Sequence, residues 1–179
     1  MAAADEIVKL LRGGGAQAYY GEPVTQLEHA LQSAQLARDA GAGDEVIVAA
    51  LLHDIGHLLD EGRLHEQLGV IDHDRAGADF LRARGFPERI VSLIEGHVDA
   101  KRYLVATNPA YAAKLSAASA ATLALQGGPM SAEEAAAFER DPLFRDKLRL
   151  RSWDEQAKAP GAACAPLEEY ESLIARYCS

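Results

Sequence analysis

The sequence predicts an all-α, single-domain helical bundle spanning residues 1–179, and three observations carry that prediction. Alanine and leucine supply 35 and 22 residues, against 18 for Val, Ile and Thr together. Unbranched side chains lose little rotamer freedom in a helix, so this balance favours helix over sheet. Apolar residues recur at helical spacing along most of the chain. Glycine and proline gather in short clusters that punctuate these stretches. The length suits one domain that buries a core without disulfide staples.

Taken in order, Asp5 to Arg12 forms a short first helix, stopped by Gly13-Gly14-Gly15. Ala16 to Pro23 reads as a loop. From Val24 the apolar positions Val24, Leu27, Leu31 and Ala34 share one helical face, and that helix ends near Gly41. Asp44 is the expected N-cap of the next, from Glu45 to Gly56. A polar loop is expected from Asp60 to Ile71. A third long helix over Asp72 to Arg84 stops at Gly85, and a fourth runs from Pro87 to about Ala106. Asn108-Pro109 caps a helix over Ala110 to Gln126, which Gly127-Gly128-Pro129 breaks. Ser131 to Arg140 and Pro142 to about Ala157 follow. After the small-residue linker Ala159 to Pro166 comes a last helix, Pro166 to Tyr177, for roughly seven to nine helices in all.

The net charge of −9 excludes a protein that coats nucleic acid or an anionic membrane by bulk electrostatics. The longest apolar run, Val46 to Leu52, is too short to span a bilayer. The N-terminus shows no charged leader followed by an apolar core, so no signal peptide is read and a cytoplasmic location is expected. Cys164 and Cys178 form no disulfide framework or metal knuckle, and read as two free thiols. The basic run Arg145 to Arg151 is interrupted by Leu148 and Leu150, which makes it an amphipathic helix rather than a nucleic-acid patch. Trp153 reads as core packing.

The chemistry gathers around the histidines. His29 lies on the first long helix, His53-Asp54 near the end of the second, His73 at the start of the third and His97 midway along the fourth. One such histidine would be an ordinary core residue. Several on successive helices can converge on one interior point, which is how bundle cores house metals. The sharpest signal is Leu51-Leu52-His53-Asp54-Ile55-Gly56-His57. Its adjacent imidazole and carboxylate can reach one metal or bridge two, and Gly56 allows a close approach of backbone or ligand. His57, four residues after His53, falls on the same helix face.

The order His29, His53-Asp54 and a late Asp154 resembles the HD-domain superfamily, helical metalloproteins of which most are phosphohydrolases. Four stretches narrow the resemblance: Tyr19-x-Gly21-Glu22 with Gln26-Leu27-Glu28-His29; Ala49 to His57; Leu93 to Leu104 with His97 and Lys101; and Gln126 to Met130 with Arg151-x-Trp153-Asp154-Glu155. Together they look like the mixed-valent diiron oxygenases of that superfamily that cleave phosphonates, along nearly the whole chain from Tyr19 to Glu155.

What the resemblance implies can be stated by residue. One iron is held by His29, His53, Asp54 and Asp154, and the other by Asp54, His73 and His97. Imidazole and carboxylate suit iron but also manganese, nickel or zinc, so the choice of iron comes from the resemblance. Tyr19 occupies the open position on the second iron until substrate displaces it, and Glu22 meets the substrate's cationic nitrogen. The competing reading is a plain loop with a partly buried aromatic. Lys101, one turn after His97, is the anion contact, and Arg151 lies one turn before Asp154. His57, Ser119, Thr122 and Gln126 offer donors to the phosphonate oxygens. For Ser119 and Thr122, a hydroxyl bonded to its own helix backbone is the alternative.

The implied reaction uses O2 to cleave the C–P bond of a 1-hydroxy-2-aminoethylphosphonate, with a free or trimethylated amine. It gives phosphate plus glycine or glycine betaine. The rival is a metal-dependent phosphohydrolase acting on a nucleotide or phosphomonoester, which the same ligands and Lys101 would serve. A third class, an inert regulatory module, would be expected to lose ligands, and every expected position is filled. The expected partner is a small organophosphonate, with neither nucleic acid nor membrane.

Overall fold

A computed structural model describes residues 3–59, 64–65 and 69–178 of the chain. The polar loop expected over 60–71 lies outside the described residues at 60–63 and 66–68. Among the described residues the regular structure is helical apart from one short hairpin. Among the described residues there are eleven α-helices, a 3-10 turn at Ile55–Leu58, and strands β1 (Leu64–His65) and β2 (Gly69–Val70) paired antiparallel with Leu64 opposite Val70.

The core forms around α3 (Asp44–Leu52), whose residues Val46 to Leu52 are all buried. A helix apolar on every side must be surrounded. Here α2 (Gln26–Asp39), α5 (Glu88–Glu95), α10 (Phe144–Gln156) and α11 (Glu168–Tyr177) enclose it. The first helix, α1 (Ala3–Gly14), packs against α2 and α11, with Ile7 and Leu11 turned inward. Helix α4 (His73–Arg82) lies against the 3-10 turn and α5. Trp153 is 7% exposed and belongs to the core. No helix among the described residues is long and apolar enough to cross a membrane.

Several element boundaries differ from expectation, each for a local reason. Gly43, not Asp44, is the N-cap of α3, and Asp44 opens its acidic first turn. That helix ends at Leu52 rather than Gly56. Asp54 leaves helical geometry at φ −104°, ψ 10°, so the 3-10 turn places His57, not a continuous helix face shared with His53. The helix expected over 87–106 divides at Gly96 into α5 and α6 (His97–Thr107), which puts His97 at a helix start. The Ile94 carbonyl accepts from the His97 ring at 2.6 Å, and a Cβ at Gly96 would run into the Lys147 side chain. The helix expected over 110–126 likewise divides into α7 (Pro109–Lys114) and α8 (Ala117–Leu125), because Ser116 caps the second by accepting from the Ser119 amide. These divisions raise the count from nine to eleven. Ser131 caps α9 (Ala132–Phe138) in a capping box with Glu134, and Thr25 does the same for α2 with Glu28.

Candidate metal centre

Five segments bring the six imidazole and carboxylate groups together. His29 comes from the buried face of α2, His53 and Asp54 from the end of α3, and His73 and His97 from the first turns of α4 and α6. Asp154 comes from the last turn of α10. All six are buried, His29 and His53 completely.

Each histidine is oriented by a backbone carbonyl. His29 Nδ1 lies 2.8 Å from the Ala157 carbonyl, His53 Nδ1 2.8 Å from Ala50, His73 Nδ1 3.0 Å from Val70 and His97 Nδ1 2.6 Å from Ile94. A carbonyl only accepts, so the proton of each neutral ring sits on Nδ1 and the Nε2 lone pair points inward. The four Nε2 atoms face one another in two pairs: His29 and His53 at 3.1 Å, His73 and His97 at 3.0 Å.

Asp54 lies between the pairs. Its Oδ2 is 3.4 Å from His29 Nε2 and from His53 Nε2, while Oδ1 is 3.2 Å from His73 Nε2 and 3.5 Å from His97 Nε2. Asp154 joins one side only, with Oδ1 3.4 Å from His29 Nε2. Asp54 Oδ2 and Asp154 Oδ1 are buried without a hydrogen-bond partner. Unsatisfied buried carboxylate oxygens are costly, and so are opposed lone pairs. Both are resolved by cations at these two positions, and the donor set of imidazoles and carboxylates fits divalent or trivalent transition metals. Without metal a proton takes that place. Burial alone would push His29 down, but the nearby carboxylates of Asp154 and Asp54 raise it to about 9. Burial would push Asp54 up, yet the charge of His53 and the neighbouring His29 and His73 rings hold it well below the carboxylate range. Asp54, His57 and His73 also form a group with ligand atoms within 4.8 Å of one another.

A cavity of about 50 Å³ opens beside this centre, lined by Tyr19, Glu22, His57, Lys101, Ser119, Thr122 and Arg151 together with Asp54, His73, His97 and Asp154. That is room for a few waters or one small anion. Part of its wall is a tight turn in which the Glu22 amide donates to the Tyr19 carbonyl at 2.9 Å and Gly21 has φ +71°. That conformation favours glycine, and it aims the Tyr19 ring inward. The ring stacks on His29 at 4.1 Å, on the first side of the centre. Burial and the charges of Asp54 and Asp154 hold the phenol well above its usual value.

Lys101 is 3% exposed, one turn after His97 on α6. Its ammonium donates to Thr122 Oγ1 at 3.0 Å and Gln126 Oε1 at 2.5 Å. Gln126 does not line the cavity; it acts on it through Lys101, its own amide donating to the Ile71 carbonyl at 3.1 Å. Burial, with the neighbouring charge of Arg151, lowers Lys101 to about 7 against the pull of Asp154, Glu155 and Asp54. Arg151 donates to Asp154 Oδ2, to Glu155, to Tyr111 Oη at 2.8 Å and to Ser119 Oγ at 3.4 Å. It thereby fixes the Asp154 carboxylate with Oδ1 turned to His29. His57 accepts the Val70 amide at 3.2 Å on Nδ1 and stacks on His73 at 4.0 Å.

Sequence reasoning missed Tyr111, Glu155 as a partner of Arg151, and Lys158. The Arg151–Glu155 spacing is a helical i,i+4 ion pair and was the available signal for one of them. Lys158 and Tyr111 reach the site by tertiary packing that no local spacing announces. The Lys158 ammonium lies 3.0 Å from Glu22 and 3.2 Å from Glu155.

Comparison with known proteins bears on this arrangement. Residues 27–141 match the model of the HD domain. The chain is 47% identical over 146 residues to the [1-hydroxy-2-(trimethylamino)ethyl]phosphonate dioxygenase (glycine-betaine-forming) of Leisingera caerulea, covering 80% of this chain and 74% of that protein. It is 45% identical over 161 residues to the hydroxymethylphosphonate dioxygenase of Gimesia maris, covering 88% and 80%. An uncharacterized protein of Acanthamoeba polyphaga mimivirus is 42% identical over 176 residues, covering 97% and 80%. With a buried histidine and aspartate centre divided by one carboxylate, and identity to these enzymes along most of its length, the chain belongs to the HD-domain family, in the branch that holds the phosphonate dioxygenases.

Proposed function

We propose that this chain, acting as one domain, cleaves the C–P bond of a small 1-hydroxyphosphonate with O2 at a pair of iron ions. The observation that carries the reading is Asp54, whose two oxygens face two separate histidine pairs as a bridging carboxylate would. His29, His53, Asp54 and Asp154 would hold one iron, and Asp54, His73 and His97 the other. Iron bound there supplies the dioxygen and electron chemistry that no side chain offers.

The protein's own part is binding, orientation and exclusion of water. Lys101 brings an ammonium to the cavity wall, held in place by Thr122 and Gln126, and meets the phosphonate oxygens. His57, Ser119 and Thr122 offer further polar atoms from the same wall, and Arg151 adds positive potential while it secures Asp154. Tyr19 covers the centre from its turn in the cavity wall, and moving that turn admits the substrate. Holding C1 and its hydroxyl against the centre provides orientation that a free collision lacks. The overall reaction balances: a 1-hydroxyphosphonate plus one O2 yields a carboxylate and phosphate, one oxygen atom entering each product. The resemblance implies 1-hydroxy-2-aminoethylphosphonate, free or trimethylated, with glycine or glycine betaine as product and Glu22 towards the nitrogen, but Glu22 is already paired with the Lys158 ammonium at 3.0 Å. The two named relatives act on a trimethylamino compound and on hydroxymethylphosphonate, which share the phosphonate and the C1 hydroxyl. The free thiols Cys164 and Cys178 fit a reducing cytoplasm.

The test is phosphate release from these hydroxyphosphonates by the iron-loaded protein, in air and under strict anaerobiosis. Release only in air is the expected result. Release that persists without oxygen assigns the site to hydrolysis instead.

A further inference from the structure

Glu22 does not face the cavity as a free carboxylate. Its Oε1 accepts from Ser116 Oγ at 2.6 Å and pairs with the Lys158 ammonium at 3.0 Å, the two charged side chains being 10% and 13% exposed. Lys158 lies 3.2 Å from Glu155, which pairs with Arg151, which pairs with Asp154. The charges alternate from the cavity wall to the metal centre, so Glu22, Lys158, Glu155 and Arg151 cancel among themselves.

Lys158 is placed there by the fold rather than by chance exposure. It follows the C-terminal end of α10, and the residues on either side are clamped by α2. The Ala157 carbonyl meets His29 Nδ1 at 2.8 Å, the Ala159 carbonyl accepts from Gln32 Nε2 at 2.8 Å, and the Ala159 amide donates to Gln32 Oε1 at 3.1 Å. The backbone that positions Lys158 is therefore the backbone that orients a candidate metal ligand.

We infer that Lys158 is a specificity-determining residue that occupies the cation position of Glu22 and so directs the cavity towards hydroxyphosphonates without an amino group. An ammonium on the substrate would have to displace an ammonium already in place. That exchanges one ion pair for another and gains no net attraction, while a largely buried lysine loses a partner. A substrate that ends at C1, or carries only a neutral substituent, leaves the pair intact and still meets Lys101. The inference rests on the hydroxyphosphonate reading above and narrows it, against the aminated substrates that the resemblance implies.

Binding of two unreactive probes, methylphosphonate and 2-aminoethylphosphonate, to the iron-loaded protein tests it by calorimetry. The wild-type chain should bind methylphosphonate at least as tightly as the amino compound. Lys158→Met should move the affinity ratio towards 2-aminoethylphosphonate by about tenfold or more, the scale of freeing a partly buried charge. Lys158→Arg, which keeps the charge, should retain the wild-type ratio. A wild-type chain that prefers the amino probe about tenfold overturns the inference without any variant. A ratio unmoved by Lys158→Met, with both probes bound, overturns it while leaving the hydroxyphosphonate reading in place. Failure to bind either probe removes that reading, and the inference with it.

Discussion

His29 and His53 meet Nε2 to Nε2 at 3.1 Å in the interior, each with Nδ1 already committed to a carbonyl. Two neutral rings so arranged repel, and the pair is stable only with a cation between or beside them. The same holds for His73 and His97 at 3.0 Å. Protein purified without chelator should therefore carry close to two metal ions per chain. Stripping them should lower the melting temperature by roughly 10 °C for each ion lost, because a thousandfold excess of metal over its Kd is worth about 4 kcal/mol per site and each kcal/mol moves a chain of this size by about 2–4 °C. Differential scanning calorimetry before and after chelation, with Fe(II) added back, makes the measurement. A melting temperature indifferent to chelation would sink the metal-centre assignment.

Convergence of the four histidines was legible because each sits in or beside an apolar helix. The fold packs those faces inward, so imidazoles carried on them must meet. Gly56 was legible too, as the one small residue between Asp54 and His57. The breaks at Gly96 and Ser116 were not, since the helical apolar spacing continues through both. At the first, Gly96 departs to φ −90°, ψ −1° and the His97 ring takes the Ile94 carbonyl, and what divides the second is a single cap. Lys158 stayed out of view because its partner is Glu22, at the other end of the chain, and only the packing of α10 against α2 joins them.

On the proposed reading, Lys101 would make the binding of a phosphonate depend on pH. Its folded value is about 7, below the usual 10.5, so the ammonium is fully present only in acid of that value and is lost as pH rises through it. Affinity should be level below about pH 6 and weaken as pH rises through 7, with uptake of up to one proton per ligand bound. Lys101→Met should weaken binding by about 1.5–3 kcal/mol at pH 6, the range for a hydrogen bond to a charged group. It should also remove the part of the pH slope seen in the wild type and not in the variant. Isothermal titration in two buffers of different ionisation enthalpy counts the protons. Equal slopes in the two proteins would contradict the role given to Lys101.

Gly56 couples the integrity of the fold to one half of the centre. A Cβ built on it falls 1.9 Å from the His73 carbonyl oxygen and 2.8 Å from the His73 Cα, so no side-chain adjustment relieves the clash. The first turn of α4 must move, and it carries His73. Gly77 closes the same contact from the other side, its own Cβ position 3.1 Å from the Gly56 amide nitrogen. Gly56→Ala is therefore expected to cost about 1–3 kcal/mol in stability, as overpacking does. It should also displace His73 from His97 while leaving His29, His53 and Asp154 where they are. Metal analysis of the folded variant should find close to one ion per chain instead of two. Gly13→Ala, whose Cβ meets nothing within 4 Å, is the control and should keep both metals at unchanged or slightly raised stability. If Gly56→Ala retained both ions at wild-type affinity, the 3-10 turn would not be what sets the position of His73.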